Sequence, residues 1–245
     1  ITPGKGSKAG GAAAAAALNR AITDLKAGDI DALVTAPIDK EMIQSESFTY
    51  TGHTEFLAKE LDGTPLMMMT SELMPAGLAT IHLPVAHVAE ALTKQLIVER
   101  IRQINDSLKQ DFGVVRPRIA VMALNPHAGD GGLLGREEQE IIKPAIVECY
   151  EDNILSFGPF AADGFFAAGQ YKRYDAILAM YHDQGLAPFK SLSPDGVNFT
   201  ASLCEVRTSP DHGVAYDIAG KGIADEQSMR NAIYEAMDIV RHRRE

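Results

Sequence analysis

Three of the seven histidines follow apolar runs of the same kind. His82 comes after GLATI (77–81), His127 after the run 119–124 inside LNPHAGDGG, and His182 after the apolar stretch of YDAILAMYHDQG. Each run reads as a short strand, and open α/β sheets bind ligands at the carboxyl ends of their strands. Imidazole nitrogens suit zinc, cobalt and similar divalent ions. One histidine so placed reads as structural. Three with the same placement favour a His₃ metal site, although their wide separation carries less weight than a compact HExxH.

The segment 180–213, MYHDQGLAPFKSLSPDGVNFTASLCEVRTSPDHG, is dense in chemistry. It holds His182, Asp183, Lys190, Asn198, Arg207 and His212, with Gly185, Pro188, Gly196 and Pro210 between them. Metal ligand, cations and turn formers at this density read as the floor of a site for a metal and an anionic small molecule. Arginine can grip an oxyanion with two parallel N–H bonds. Plainer readings stand beside these: Lys190 as a surface lysine, Asn198 as a turn residue, Arg207 as an ion pair with Asp211, and Asp183 as the residue that orients His182. In TYTGHTEFLAKEL, His53 and Thr54 fall at a helix N-terminus, where free backbone N–H groups favour anions; Thr54 serves equally well as a simple N-cap. Asp39 and Lys40, after ALVTAP, read as a helix cap and a solvated lysine. His87 and His242 read as surface residues.

Helices and short apolar strands alternate along the chain, which predicts an α/β fold. Residues 7–27 form an alanine-rich helix stopped by Gly28. LMMMT and GLATI are paired strands whose methionines fill core. A long helix spans 87–109, and a last helix runs from about 225 to 241 with Ile233, Ala236, Met237 and Val240 as its buried face. The 245 residues carry a formal net charge of −10, which excludes the basic footprint of a nucleic-acid binder but not a local anion site. No apolar run approaches a membrane span and no signal-peptide core follows the N-terminus. Two cysteines in no metal motif suit a reduced cytoplasmic protein.

YTGHTEFLA, IHLP, LNPHAGDGG, YHDQGLAPFK, GVNFT and VRTSPDHG together resemble the 4-hydroxythreonine-4-phosphate dehydrogenase family of pyridoxal phosphate (vitamin B6) biosynthesis, over essentially the whole chain. The resemblance implies a divalent ion, Zn²⁺, Mg²⁺ or Co²⁺, held by His82, His127 and His182. It implies substrate contacts from His53, Thr54, Lys190, Asn198 and Arg207, with Asp163 and Lys190 among the catalytic residues. HGVAYDIAGKGIAD is also similar to the stretch of isopropylmalate dehydrogenases that cradles the adenosine of NAD. That places His212, Gly213 and Asp225 on the cofactor side; Asp225 stands where that family has asparagine, keeping an acceptor and losing the amide donor.

The resemblance implies two α/β/α domains of the isocitrate/isopropylmalate dehydrogenase type with the active site in the cleft between them: 1–46 plus 184–245 as the cofactor-side domain, and 47–183 as the central metal and substrate domain. The expected reaction is metal-dependent oxidation of 4-phosphohydroxy-L-threonine by NAD(P)⁺, giving 3-amino-2-oxopropyl phosphate after loss of CO₂. A homodimer is expected. So is an absent N-terminal segment, because the family's first strand and its glycine- and proline-rich loop have no counterpart before Ile1. Two other functions share these motifs: a sister dehydrogenase acting on D-threonate or D-erythronate 4-phosphate, and a metal- or phosphate-binding fragment without catalysis.

Overall fold

The computed structural model describes residues 2–46, 48–50 and 52–245. The fold is mixed α/β. In chain order the elements are α1 (Lys8–Ala27), β1 (Ala32–Val34), α2 (His53–Glu60), β2 (Gly63–Thr70), β3 (Ala76–Leu78), α3 (Val88–Ala91), α4 (Lys94–Gln110), β4 (Arg118–Met122), α5 (Lys143–Glu151), β5 (Leu155–Phe160), α6 (Ala162–Ala167), β6 (Ala176–Ala179), α7 (His182–Leu192), β7 (Val197–Leu203), β8 (Val206–Pro210) and α8 (Gln227–Arg244). Among the described residues no helix is long and apolar enough to cross a membrane.

The chain forms two compact units, Ile1–Pro65 with Asp195–Arg244, and Leu66–Pro194. The boundaries expected at 46/47 and 183/184 therefore fall inside the units. Packing explains both differences. Phe56 and Leu57 of α2 share a core with Ala15, Leu18 and Ile22 of α1, so α2 belongs to the first unit. Leu186 and Phe189 of α7 share a core with Leu78, Ala120 and Ile177, so α7 belongs to the second.

In the first unit β1 runs parallel to β8 and β7 antiparallel to it, with Leu33 opposite Arg207 and Asn198 opposite Ser209. Ser7 accepts from the Gly10 N–H to start α1, and Gly28 ends it at φ 75. A β-carbon on Gly11 would lie 2.0 Å from the Met42 carbonyl oxygen, so only glycine lets α1 approach that backbone. Helix α8 buries Ala232, Ala236 and Ile239. Ile233 and Met237, expected inside, are 43% and 54% exposed. The helix is rotated to set two alanines against β8, and small side chains permit that close approach: the Thr208 hydroxyl donates to the Ala232 carbonyl at 2.8 Å.

In the second unit the strand order is β2-β3-β6-β4-β5. β2 pairs antiparallel with β3, while β3, β6, β4 and β5 are mutually parallel. Met67, Met68 and Met69 are all buried, as core filler should be. The single helix expected over 87–109 is broken at Leu92 and Thr93. Thr93 has extended backbone and its hydroxyl accepts from the Leu96 N–H, so it caps a new helix, α4.

Candidate active site

The second unit brings the three strand ends side by side. β3, β6 and β4 are neighbours and parallel, so His82, His182 and His127 leave the sheet at the same edge. Two residues that the sequence reading passed over tie these ends together. The Thr80 hydroxyl donates to the Met180 carbonyl at 2.8 Å, joining the β3 end to the β6 end. The Gln184 side chain accepts from the Met180 N–H at 2.7 Å and donates to the Ala123 carbonyl at 2.6 Å, joining β6 to β4.

His82 and His182 face each other with ring centroids 6.3 Å apart. His182 Nδ1 lies 2.7 Å from Asp183 Oδ1. With the carboxylate as acceptor, Nδ1 carries the proton and Nε2 presents a lone pair, the arrangement a neighbouring carboxylate imposes on metal-binding histidines. His127 sits in a left-handed turn, where residues 127 to 131 all have positive φ. His127, Ala128 and Asp130 are not glycines, and each costs about 1–2 kcal/mol in that conformation. The turn is held from inside by the buried Glu138 carboxylate, which accepts from the Leu124 and Asn125 N–H groups. Among the described residues no three His, Cys, Asp or Glu side chains close on one point as metal ligands do. The pairing of His82 with His182 and the shared sheet edge are what fit a nitrogen-ligated ion. Asp163 lies in the first turn of α6 and Lys190 in the last turn of α7, both exposed.

The first unit holds Arg207, His53, Thr54 and Asn198. Arg207 is 2% exposed. Its Nε and Nη2 donate to the Thr35 hydroxyl at 3.1 and 2.6 Å, and its Nη1 to the Thr200 hydroxyl at 3.1 Å. Among the described residues it has no carboxylate partner, so the plainer reading of Arg207 as an ion pair with Asp211 does not hold. Burial pulls its pKa down to about 10, leaving it cationic at neutral pH. His53 starts α2 behind Gly52, and its Nε2 is buried without a hydrogen-bond partner among the described residues. Burial first, then the charges of Arg207 and Lys40, push its pKa down to about 3. The imidazole is therefore neutral at physiological pH. Lys40, read from sequence as a solvated lysine, lies close enough to act on His53; a β-carbon on Gly52 would come 3.9 Å from its Nζ. Thr54 follows His53 in α2, and Asn198 is half-buried in β7. Thr35, Thr200 and Lys40 carried no distinctive sequence signal, since threonine and lysine in such positions are ordinary.

His212 and Gly213 line a cavity of about 560 Å³ in the first unit, together with Gly10, Gly11, Pro37 and Ala224. Across it the Tyr216 hydroxyl donates to Asp39 at 2.7 Å. Asp225 lies beside this lining and its carboxylate accepts from the Gln227 N–H at the start of α8.

The family described as "Pyridoxal phosphate biosynthetic protein PdxA" matches residues 1–236. A 4-hydroxythreonine-4-phosphate dehydrogenase of Bacteroides thetaiotaomicron is 56% identical over 236 residues, covering 95% of this chain, which in turn spans 65% of that relative's length. The crystal structure of a 4-hydroxythreonine-4-phosphate dehydrogenase from Klebsiella pneumoniae superposes with a TM-score of 0.86 at 37% identity, over 98% of this chain and 73% of that one. A terephthalate 1,2-cis-dihydrodiol dehydrogenase from Burkholderia xenovorans superposes at 0.70 with 27% identity, over 97% and 76%. With this match over nearly its whole length, the chain belongs to the PdxA family of pyridoxal phosphate biosynthetic proteins.

Proposed function

We propose that the protein is an NAD(P)-dependent 4-hydroxythreonine-4-phosphate dehydrogenase. The observation that carries this reading, beside the family, is the Arg207 guanidinium, closed off from water and held only by neutral hydroxyls. Of arginine's five N–H donors three are engaged, and the rest suit an oxyanion. A buried cation with no counter-ion is costly, and an anionic ligand offsets that cost. His53, neutral with its Nε2 unpartnered among the described residues, adds a donor that does not have to lose a proton or a partner when the anion arrives.

The overall reaction removes hydride from the carbinol carbon and a proton from its oxygen, and the resulting β-keto acid loses CO₂. In this reading Arg207, His53, Thr54 and Asn198 bind and orient the substrate. Lys190 and Asp163 serve the reacting end, Lys190 as a cation that can exchange a proton there. His82, His127 and His182 would hold a divalent ion, which supplies Lewis-acid polarisation of the alcohol oxygen when bound. The cavity beside His212 and Gly213 would take the adenosine part of NAD(P)⁺, which accepts the hydride, and Asp225 borders it. The two-domain architecture of isocitrate and isopropylmalate dehydrogenases, a homodimeric state and a cytoplasmic location belong to the same proposal.

The test is NADH or NADPH formation by the purified protein with 4-phosphohydroxy-L-threonine, D-threonate 4-phosphate and D-erythronate 4-phosphate. Turnover with the amino acid alone supports the proposal. Turnover confined to a sugar-acid phosphate moves the protein to the sister activity, a shift made concrete by the dihydrodiol dehydrogenase that carries a related fold with another alcohol substrate. Metal or phosphate binding without turnover of any of the three marks a non-catalytic binder.

A further inference from the structure

We propose that Glu138 is the positioning residue of His127, holding it where the metal set of the proposed function requires; the inference rests on that reading for its purpose, though not for its geometry. Glu138 is 3% exposed, yet its hydrogen bonds do not brace the core. One oxygen accepts from the N–H groups of Leu124 at 2.9 Å and Asn125 at 2.7 Å, and the other from the Asn125 side-chain amide at 3.1 Å. All three donors lie in the two residues that carry the chain from β4 into the His127 turn. The same amide also donates to Glu137 at 2.7 Å, so two consecutive acids grip one residue.

The turn has no room for a substitute. A β-carbon on Gly129 would fall 2.6 Å from Glu138 Oε2, and one on Gly135 would fall 2.3 Å from the Asn125 amide nitrogen. The carboxylate therefore fills the inside of the loop whose outside presents His127. Left-handed backbone at His127, Ala128 and Asp130 does not persist unless its surroundings over-determine it, and such strain gathers at functional sites. Glu138 supplies the over-determination. It also opens a π-turn, Glu138–Ile142, a helix irregularity that recurs at functional sites.

Two measurements on the whole protein test this. Hydrogen exchange of amides 124–134 reads the turn directly, and cobalt(II) absorption titrations read the ligand set. For Glu138→Ala the turn amides are expected to exchange at least about 100-fold faster while those of β6 are unchanged, and cobalt affinity to fall about 10- to 100-fold, the range for losing an outer-shell partner. His127→Ala should lose cobalt affinity with turn protection intact. Glu138→Gln keeps the size and the oxygen that serves both backbone N–H groups, so it should give intermediate losses, and it decides the matter where the alanine variant does not fold. Unchanged turn protection in a folded Glu138 variant overturns the proposal, and so does a released turn with undiminished cobalt affinity. Wild-type protein that binds no cobalt through its histidines overturns the metal reading instead, and the exchange data then decide alone whether Glu138 holds the turn.

Discussion

At the scale of single residues, the site pairs stability with function in opposite senses. A buried cation without a counter-ion destabilises the fold, and replacing such a group by an apolar side chain of similar volume often stabilises by about 1–4 kcal/mol. Arg207→Met is therefore expected to leave the urea midpoint unchanged or raised while KM for the proposed phosphorylated substrate rises about 100-fold. A large drop in stability would show that Arg207 is a structural residue. His53 makes a second prediction. Its folded pKa of about 3 lies below the ordinary 6.5, so below pH 6.5 the unfolded chain takes up a proton that the folded chain refuses. Stability should fall as pH drops from 6.5 towards 3 and be flat in this respect above 6.5, a loss on the order of a few kcal/mol. In His53→Gln, urea melts across that window should show a shallower slope. Lys40→Met should raise KM about 3- to 10-fold with little change in kcat; an unchanged KM returns Lys40 to the role of a solvated lysine. The histidines and Arg207 stood out in the sequence as candidates because they are flanked by turn formers. Thr35 and Thr200 became visible only once register set their hydroxyls beside a guanidinium 172 and 7 residues away in sequence.

At the scale of elements, close approach decides where substitutions matter. In Gly11→Ala the new methyl group would meet the Met42 carbonyl, an immovable backbone atom, so α1 must shift away from its core. A loss of about 1–3 kcal/mol in urea unfolding is expected, the scale of overpacking a filled interior. Thr93→Ala should cost about 1 kcal/mol, because it removes the hydroxyl that caps α4. Apolar runs and periodicity made β1, β2, β3, β4 and β6 legible, along with α1, α2 and α8; β5, β7, β8, α6 and α7 were not legible, because polar and turn-forming residues interrupt the sequence there. The break at Leu92–Thr93 was not legible either, since a threonine between two helical patterns looks the same whether it continues a helix or caps one. The phase of α8 was misread because Ile233 and Met237 outweigh alanines in any hydrophobic tally, whereas packing against β8 selects the smaller Ala232 and Ala236. The left-handed turn around His127 was foreshadowed by its glycines, but nothing in GREEQE marks which acid turns inward.

At the scale of the molecule, the two units divide the candidate residues. His82, His127, His182, Asp163 and Lys190 belong to Leu66–Pro194, while Arg207, His53 and the cavity beside His212 belong to the other unit. On the proposed function, chelation should therefore abolish alcohol oxidation while leaving binding of inorganic phosphate, followed by thermal shift, within twofold. Loss of both on chelation would tie the ion to Arg207 and His53 as well. Light scattering is expected to give twice the chain mass at micromolar concentration; a monomeric mass removes the homodimer from the proposal. The compact units join the outer ends of the chain and set its middle apart, and their limits differ from the expected 46/47 and 183/184 because packing, which no motif position reveals, assigns α2 and α7.

Gln184 works like an indexing pin. A strand advances about 3.3 Å per residue, so a slip of one position between β6 and β4 would carry His182 that far from His127 and turn alternate side chains to the opposite face. Because one amide fits the Met180 N–H and the Ala123 carbonyl at once, it accepts only a single alignment of the two strands. A glutamate there keeps the acceptor and sets an oxygen against an oxygen at Ala123, so Gln184→Glu is expected to change the spacing between His182 and His127 without touching either of them.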